Sequence, residues 1–145
     1  MINSFKGEYA FLGNFYNRPI TYKNLTFKNS EAAFQSEKTE DFNIKKGFTT
    51  LSPNEAKRLG RSLKLIENWE EIKDEVMYQV CKAKFTDSNL KEKLLATGNE
   101  ELMEGNTWHD NYWGDCQCEK CKNKKGKNQL GKTLMRIREE LNSTK

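Results

Sequence analysis

Lys84 stands one residue before the end of a run, Trp69–Phe85, whose apolar residues recur at helical spacing. At about 100° per residue, Trp69, Ile72, Val76, Val80 and Ala83 fall on one stripe, and Met77, Cys81 and Phe85 on a second. Lys84 falls between them. A lysine flanked by apolar residues on both sides loses hydration, and desolvation disfavours the ammonium. A neutral amine is a base or a nucleophile. The other reading is that the stem lies along the stripe and the ammonium reaches water. Glu31, in Ser30-Glu-Ala-Ala-Phe-Gln35, stands where a helix begins. The helix dipole favours an acid there, which is reason enough for it unless the carboxylate faces a pocket.

A second concentration of chemistry lies in Asn106–Asp115, with two Trp, one Tyr, the single His109, two Asp and two Asn in ten residues. Aromatic faces beside amides and a carboxylate suit a nucleobase, by stacking and by hydrogen bonds to its edge. The competing reading is a loop pinned to the core by its tryptophans. With only one histidine in the chain, Ser/His/Asp or Cys/His catalysis has little support. Cys116-x-Cys118-x-x-Cys121 follows directly. Three thiols can bind zinc, with His109 or Cys81 as fourth ligand, but structural zinc sites usually use two separated pairs. Reduced free thiols are the alternative, and the sequence assigns no metal.

Residues 120–145 carry nine Lys/Arg against two acids, whereas residues 1–119 are net acidic. A basic segment of this kind meets phosphates or simply stays solvated. Walker and Rossmann glycine patterns are absent. Gly126–Lys132 leads into a helix, so its amides and lysines are candidates for an anion at a helix N-terminus, and its two glycines are equally explained as turn residues.

The elements that must position these groups are mostly helical. Pro19–Lys28 alternates around Lys23-Asn24 and predicts a hairpin. Ser30 reads as the N-cap of a helix to about Lys38. Ser52-Pro-Asn-Glu55 has capping-box spacing and opens a helix to about Leu63. Residues 68–85 predict the longest helix. Residues 88–97 predict another, closed by Gly98. The last, about Gln129 to Leu141, has Leu130, Leu134, Ile137 and Leu141 on one stripe. Helices that do not interleave with strands disfavour a parallel α/β sheet, so the expected fold class is α+β, a helix-rich single domain with a few short strands. A chain of 145 residues fits one domain, 1–145. It holds no run of apolar residues long enough for a membrane helix and no basic-then-apolar leader. Four cysteines without an export signal point to reduced thiols and a cytoplasmic location.

Read in order, Phe11–Tyr16, Ile20–Tyr22, Asn29–Gln35 with Lys38, Ala56–Arg61, Trp69, Val76-Met77, Ala83-Lys-Phe85, Leu94–Gly98, Leu102–Glu104, Asp110-x-x-Trp-Gly114 and Gly126–Arg138 resemble the NADAR family over nearly the whole chain. Each block alone is unspecific; their order carries the resemblance. It implies an N-glycosidase acting on ribosylated compounds. Removal of ADP-ribose from guanine leads, and cleavage of ribosylamino-pyrimidine phosphates of riboflavin synthesis is the alternative. Glu31, Lys84 and Asp110 then resemble catalytic positions. Asn14, Phe15, Arg61, Trp69, Asn106, Trp113 and Gly114 resemble substrate-binding ones. Gly13 stands where the family often has serine, and the cysteine-rich loop 115–125 is longer than the shortest family versions. No cofactor is called for. The implied partner is a nucleotide-like substrate, with nucleic acid a further candidate and no membrane. A non-catalytic reader of NAD or ADP-ribose remains the alternative from another class.

Overall fold

The computed structural model describes residues 1–144. Six α-helices and four short strands run in the order β1 (Ile20–Tyr22), β2 (Leu25–Phe27), α1 (Ser30–Ser36), α2 (Phe42–Gly47), α3 (Pro53–Ser62), α4 (Trp69–Lys84), α5 (Ser88–Ala96), β3 (Gly105–Asn106), β4 (Asp115–Cys116) and α6 (Gln129–Ser143). This is the expected helix-rich α+β class. The contacts group the chain into two compact units, Asn14–Asp87 and Met1–Gly13 with Ser88–Lys145.

In the unit Asn14–Asp87, β1 and β2 form the predicted hairpin, with Ile20 opposite Phe27. Lys23 and Asn24 both take positive φ, 49° and 68°, as a two-residue turn of this hand requires. The strands alternate so that Ile20, Tyr22 and Phe27 are buried and Thr21 and Thr26 face water. Helix α1 is the centre: all seven of its residues are buried. Its cap is Asn29 rather than Ser30. The Asn29 side chain accepts a bond from the Ala32 amide at 2.8 Å, while Ser30 is already helical and turns its hydroxyl to Asn14. The helix stops at Ser36, short of Lys38. Helix α3 carries the predicted capping box, with Ser52 and Glu55 bonded reciprocally and Pro53 behind the cap. It packs on α1 at Gly60, where a Cβ would overlap the Gln35 amide. The six-residue α2, capped by Asp41 and without a buried residue, lacked the apolar periodicity that reveals a helix in sequence.

In the other unit, Ile2 bridges to Leu102, which ties the N-terminal residues to the chain after α5. Helix α5 ends just before Gly98, whose φ is +64°. The predicted α6 stripe is buried at Leu130, Leu134 and Ile137, with Leu141 half-buried. Arg138 is buried too, and its guanidinium donates to the Thr97 hydroxyl at 2.8 Å. Strands β3 and β4 are a two-residue parallel pair, Gly105 with Asp115 and Asn106 with Cys116. No helix among the described residues is long and apolar enough to cross a membrane.

Candidate active site

The predicted site residues Asn14, Phe15, Glu31, Arg61, Trp69 and Lys84 belong to the unit Asn14–Asp87. Asn106, Asp110, Trp113 and Gly114 belong to the other.

Glu31 lies in the first turn of α1 and is buried. The carbonyl of Asn14 accepts the Glu31 amide at 3.1 Å, and the Asn14 side-chain oxygen accepts the Ser30 hydroxyl at 3.0 Å. Asn14 is therefore a clamp on the start of α1. One turn on, Gln35 donates to the Glu31 carboxylate at 2.6 Å. The Gln35 carbonyl oxygen is buried without a hydrogen-bond partner.

Lys38 follows directly. Burial lowers its pKa, Arg61 and Lys57 add to the fall, and Glu31 and Glu70 oppose it. Lys38 thus lies within the fields of Glu31, Lys57 and Arg61. Arg61 is exposed on α3, and Phe15 is also exposed, with the Lys57 ammonium 5.7 Å from its ring centre. Trp69 is only 4% exposed, packed on Phe34 with ring centres 5.3 Å apart and the Lys38 ammonium 5.9 Å from its own. It is a core residue and a floor for Lys38, not an open stacking face. A groove nearer the start of α4, lined by Glu40, Ile66, Glu67, Asn68 and Glu71, contains none of the predicted residues. Its three carboxylates give it the wrong sign for a phosphate.

Lys84, the last residue of α4, is 5% exposed. Burial pushes its pKa down to about 8, with the Cys81 side chain acting against the fall. Burial likewise pushes the Cys81 thiol up to about 11, although the Lys84 charge pulls it down. The reading of Lys84 as desolvated therefore prevails over the snorkelling one. Near neutral pH a usable fraction of this amine is unprotonated, whereas an ordinary lysine holds its proton.

The Asn106–Asp115 segment is a loop held by its own side chains. Asn106 is buried; its amide donates to the Asp110 carbonyl at 2.8 Å and its oxygen accepts the Asp110 amide at 3.1 Å. One Asp110 carboxylate oxygen accepts the amides of Tyr112 and Trp113, at 3.1 and 2.9 Å. Trp113 is half-buried, edge-on to Tyr112 at 4.8 Å, while Trp108 is exposed. Gly114 lies against the Glu104 carbonyl, where a Cβ would overlap it.

The amides before and at the start of α6 do not hold an anion. Those of Lys127, Asn128, Gln129 and Leu130 donate to the carbonyls of Asn111, Gly114, Tyr112 and Trp113. The loop takes the bonds that a phosphate would need. Beside it, the His109 ring and the sulfurs of Cys116, Cys118 and Cys121 converge, all four candidate ligand atoms within 4.8 Å of one another.

Sequence reasoning missed Gln35 and Lys38 as functional candidates. Both have a sequence signal. Gln35 follows Glu31 by four residues, one turn on the same helix face, and Lys38 lies just past the helix end.

The model of the NADAR domain matches residues 3–142, across both units. The chain belongs to the NADAR domain family. N-glycosidase YbiA of Shigella flexneri serotype 5b (strain 8401) is 39% identical over 109 residues, covering 72% of this chain and 68% of its own. N-glycosidase YbiA of Escherichia coli (strain K12) is 38% identical over the same shares. The NMR structure of the Escherichia coli protein YbiA superposes with a TM-score of 0.82 at 35% identity, covering 99% of this chain and 88% of that one.

Proposed function

We propose that this protein is an N-glycosidase that cleaves the bond between ribose and a base, and that its substrate is ADP-ribosylated guanine or guanosine. The observation that carries the proposal is the buried Lys84, whose pKa is pushed down to about 8. The curated relatives, named as N-glycosidases, supply the reaction class.

The chemistry needs no redox partner. A base linked to ribose through an exocyclic amine can open its sugar ring. The amine lone pair forms the C1=N iminium as the C1–O4′ bond breaks and O4′ takes a proton. The neutral Lys84 amine adds to C1, and the base leaves with its nitrogen reprotonated, so that C1 is now held as a lysine iminium. Water adds to C1, the C1–N bond to Lys84 breaks, and the free sugar and the amine are regenerated. The Glu31 carboxylate binds ribose hydroxyls and steadies positive charge at C1, with Gln35 fixing its orientation. Lys38, Lys57 and Arg61 offer positive charge to the substrate's phosphates. Asp110 is proposed as an acid/base group in addition to its role in holding its own turn. Trp113 is proposed to stack on a base.

Borohydride tests the covalent step. Protein incubated with ADP-ribosylated guanosine and borohydride is expected to gain the mass of the reduced sugar adduct on Lys84, located by peptide mapping. Base release without an adduct would leave Lys84 only a proton-transfer role. Absence of base release would overturn the function itself. Incubation with a ribosylamino-pyrimidine phosphate under the same conditions separates the two substrate classes by which base is released.

A further inference from the structure

We propose that His109, Cys116, Cys118 and Cys121 form a structural zinc site that fixes the loop carrying Asp110 and Trp113. The proposal is independent of the catalytic reading, because its readout is metal rather than turnover.

Three observations support it. The first is geometry. The His109 Nδ1 lies 3.4 Å from the Cys118 sulfur, 3.5 Å from that of Cys121 and 3.8 Å from that of Cys116. A tetrahedral zinc with sulfurs at about 2.3 Å and nitrogen at about 2.0 Å sets sulfur–nitrogen edges of about 3.5 Å. The second is valence. An imidazole Nδ1 has either one lone pair or one proton, so it can make one hydrogen bond. At most one of the three sulfurs gathered round it can therefore bond to that nitrogen, whereas one zinc ion would be ligated by all four groups. The third is chemical type. Three thiolates and one imidazole are a closed set for structural zinc, with no position left for water or substrate. Of the two candidates for the fourth ligand, His109 is the one whose ring joins the three sulfurs, while Cys81 is buried within α4.

The placement says what such an ion does. Its ligands come from both sides of Asp110–Gly114, so one ion closes this segment at both ends. The His109 backbone has φ of 69°, in the left-handed region that few non-glycine residues adopt. Cys121 and Cys118 share a tight turn through the Cys121 amide, and Asn111 accepts the Cys116 amide at 2.9 Å. Between Asn106 and Gln129 the buried hydrophobic residues are Cys116 and Cys121, and regular structure is limited to a two-residue strand pair, so side-chain bonds and a metal take over the role of a core.

The test is metal analysis of the untagged full chain, purified under reducing conditions without chelator. About one zinc per chain is expected by elemental mass spectrometry. Replacing zinc by cobalt should give the strong d–d bands and thiolate-to-metal charge-transfer absorption of a tetrahedral thiolate-rich site. His109→Ala and Cys118→Ser should each lose most of the zinc or shift the cobalt spectrum, while Cys81→Ser should change neither. A strong chelator should lower the thermal midpoint of the native chain by several degrees, with zinc restoring it. Zinc far below one per chain, together with a cobalt titration that develops no thiolate band, would overturn the proposal whether or not the variants fold. So would a disulfide between two of the three cysteines in the natively purified protein, or zinc lost equally in Cys81→Ser.

Discussion

The α1–α4 region and the Asn106–Lys127 loop both carry chemistry, and they hold it in opposite ways. Around α1 and α4, secondary structure comes first, and polar groups are embedded in it. Glu31 and Lys84 are buried by helices whose positions are set by apolar packing, and the cost of burying charge appears as a pKa pushed down to about 8 for Lys84. In the loop there is almost no regular structure. Shape comes from Asn106 and Asp110 bonding to the backbone, and from carbonyls that take the first amides of α6. A helix can tune a side chain by desolvation because packing holds it in place. A loop first has to hold itself, so its polar side chains are partly consumed by structure. Conserving helix stability and conserving loop shape are therefore separable, and substitutions can tell them apart.

The largest expected effect is at Lys84. Lys84→Met removes the amine and should lower kcat/KM by about 10²–10⁴. The folded pKa lies below that of an exposed lysine, so burial of the charged form costs stability below about pH 8. Lys84→Met should therefore also raise unfolding free energy at pH 7 by up to about 3 kcal/mol, read from denaturant unfolding. The same linkage fixes a pH window for the native chain. Between about pH 8 and 10.5 the unfolded state holds the lysine proton and the folded state does not, so stability attributable to Lys84 rises with pH there. A Lys84 contribution that stays flat or falls through that window, isolated by subtracting the Lys84→Met curve, would contradict the assignment.

Asp110→Asn is the next largest and the sharpest test of the loop. Asparagine keeps an oxygen to accept the Tyr112 and Trp113 amides, so the turn survives and the thermal midpoint should stay within a degree or two. If Asp110 takes part in chemistry, kcat/KM falls by about 10²-fold. Retained activity would make it a structural turn residue only.

Gly60→Ala should act through Gln35. A methyl there overlaps the Gln35 amide, which must turn away from Glu31. A loss of about 1–3 kcal/mol by thermal unfolding and a fall in activity of about tenfold are expected. Asn106→Ala should be the smallest of the four, removing the bonds on both sides of Asp110 at a cost of about 2 kcal/mol, with KM raised more than kcat is lowered.

Much of the helical frame was legible. The capping box at Ser52, the Lys23-Asn24 turn and the Lys84 stripe all use local periodicity or capping chemistry, and local rules survive folding. The misses share a cause in contacts distant in sequence. Ser30 was read as a cap because hydroxyls cap helices, yet Asn14, sixteen residues earlier, claims that hydroxyl and leaves the cap to Asn29. Gln35 and Lys38 gain meaning only once Glu31 and Gly60 are seen beside the same turn. Of the two readings of Gly126–Lys132, an anion site or a turn, the anion site loses its amides to carbonyls from fifteen or so residues back. The sequence reading offered His109 or Cys81 beside the three cysteines, and the fold brings His109 to them.

The central claim is that this chain releases a base from ribose. Incubating the purified protein with ADP-ribosylated guanosine and identifying the products by mass spectrometry tests it directly. The account predicts free ADP-ribose and unmodified guanosine, released by the native chain and not by Lys84→Met. Unchanged substrate with the native chain, with ADP-ribose or NAD nonetheless raising its thermal midpoint, would contradict it and identify a binding module instead.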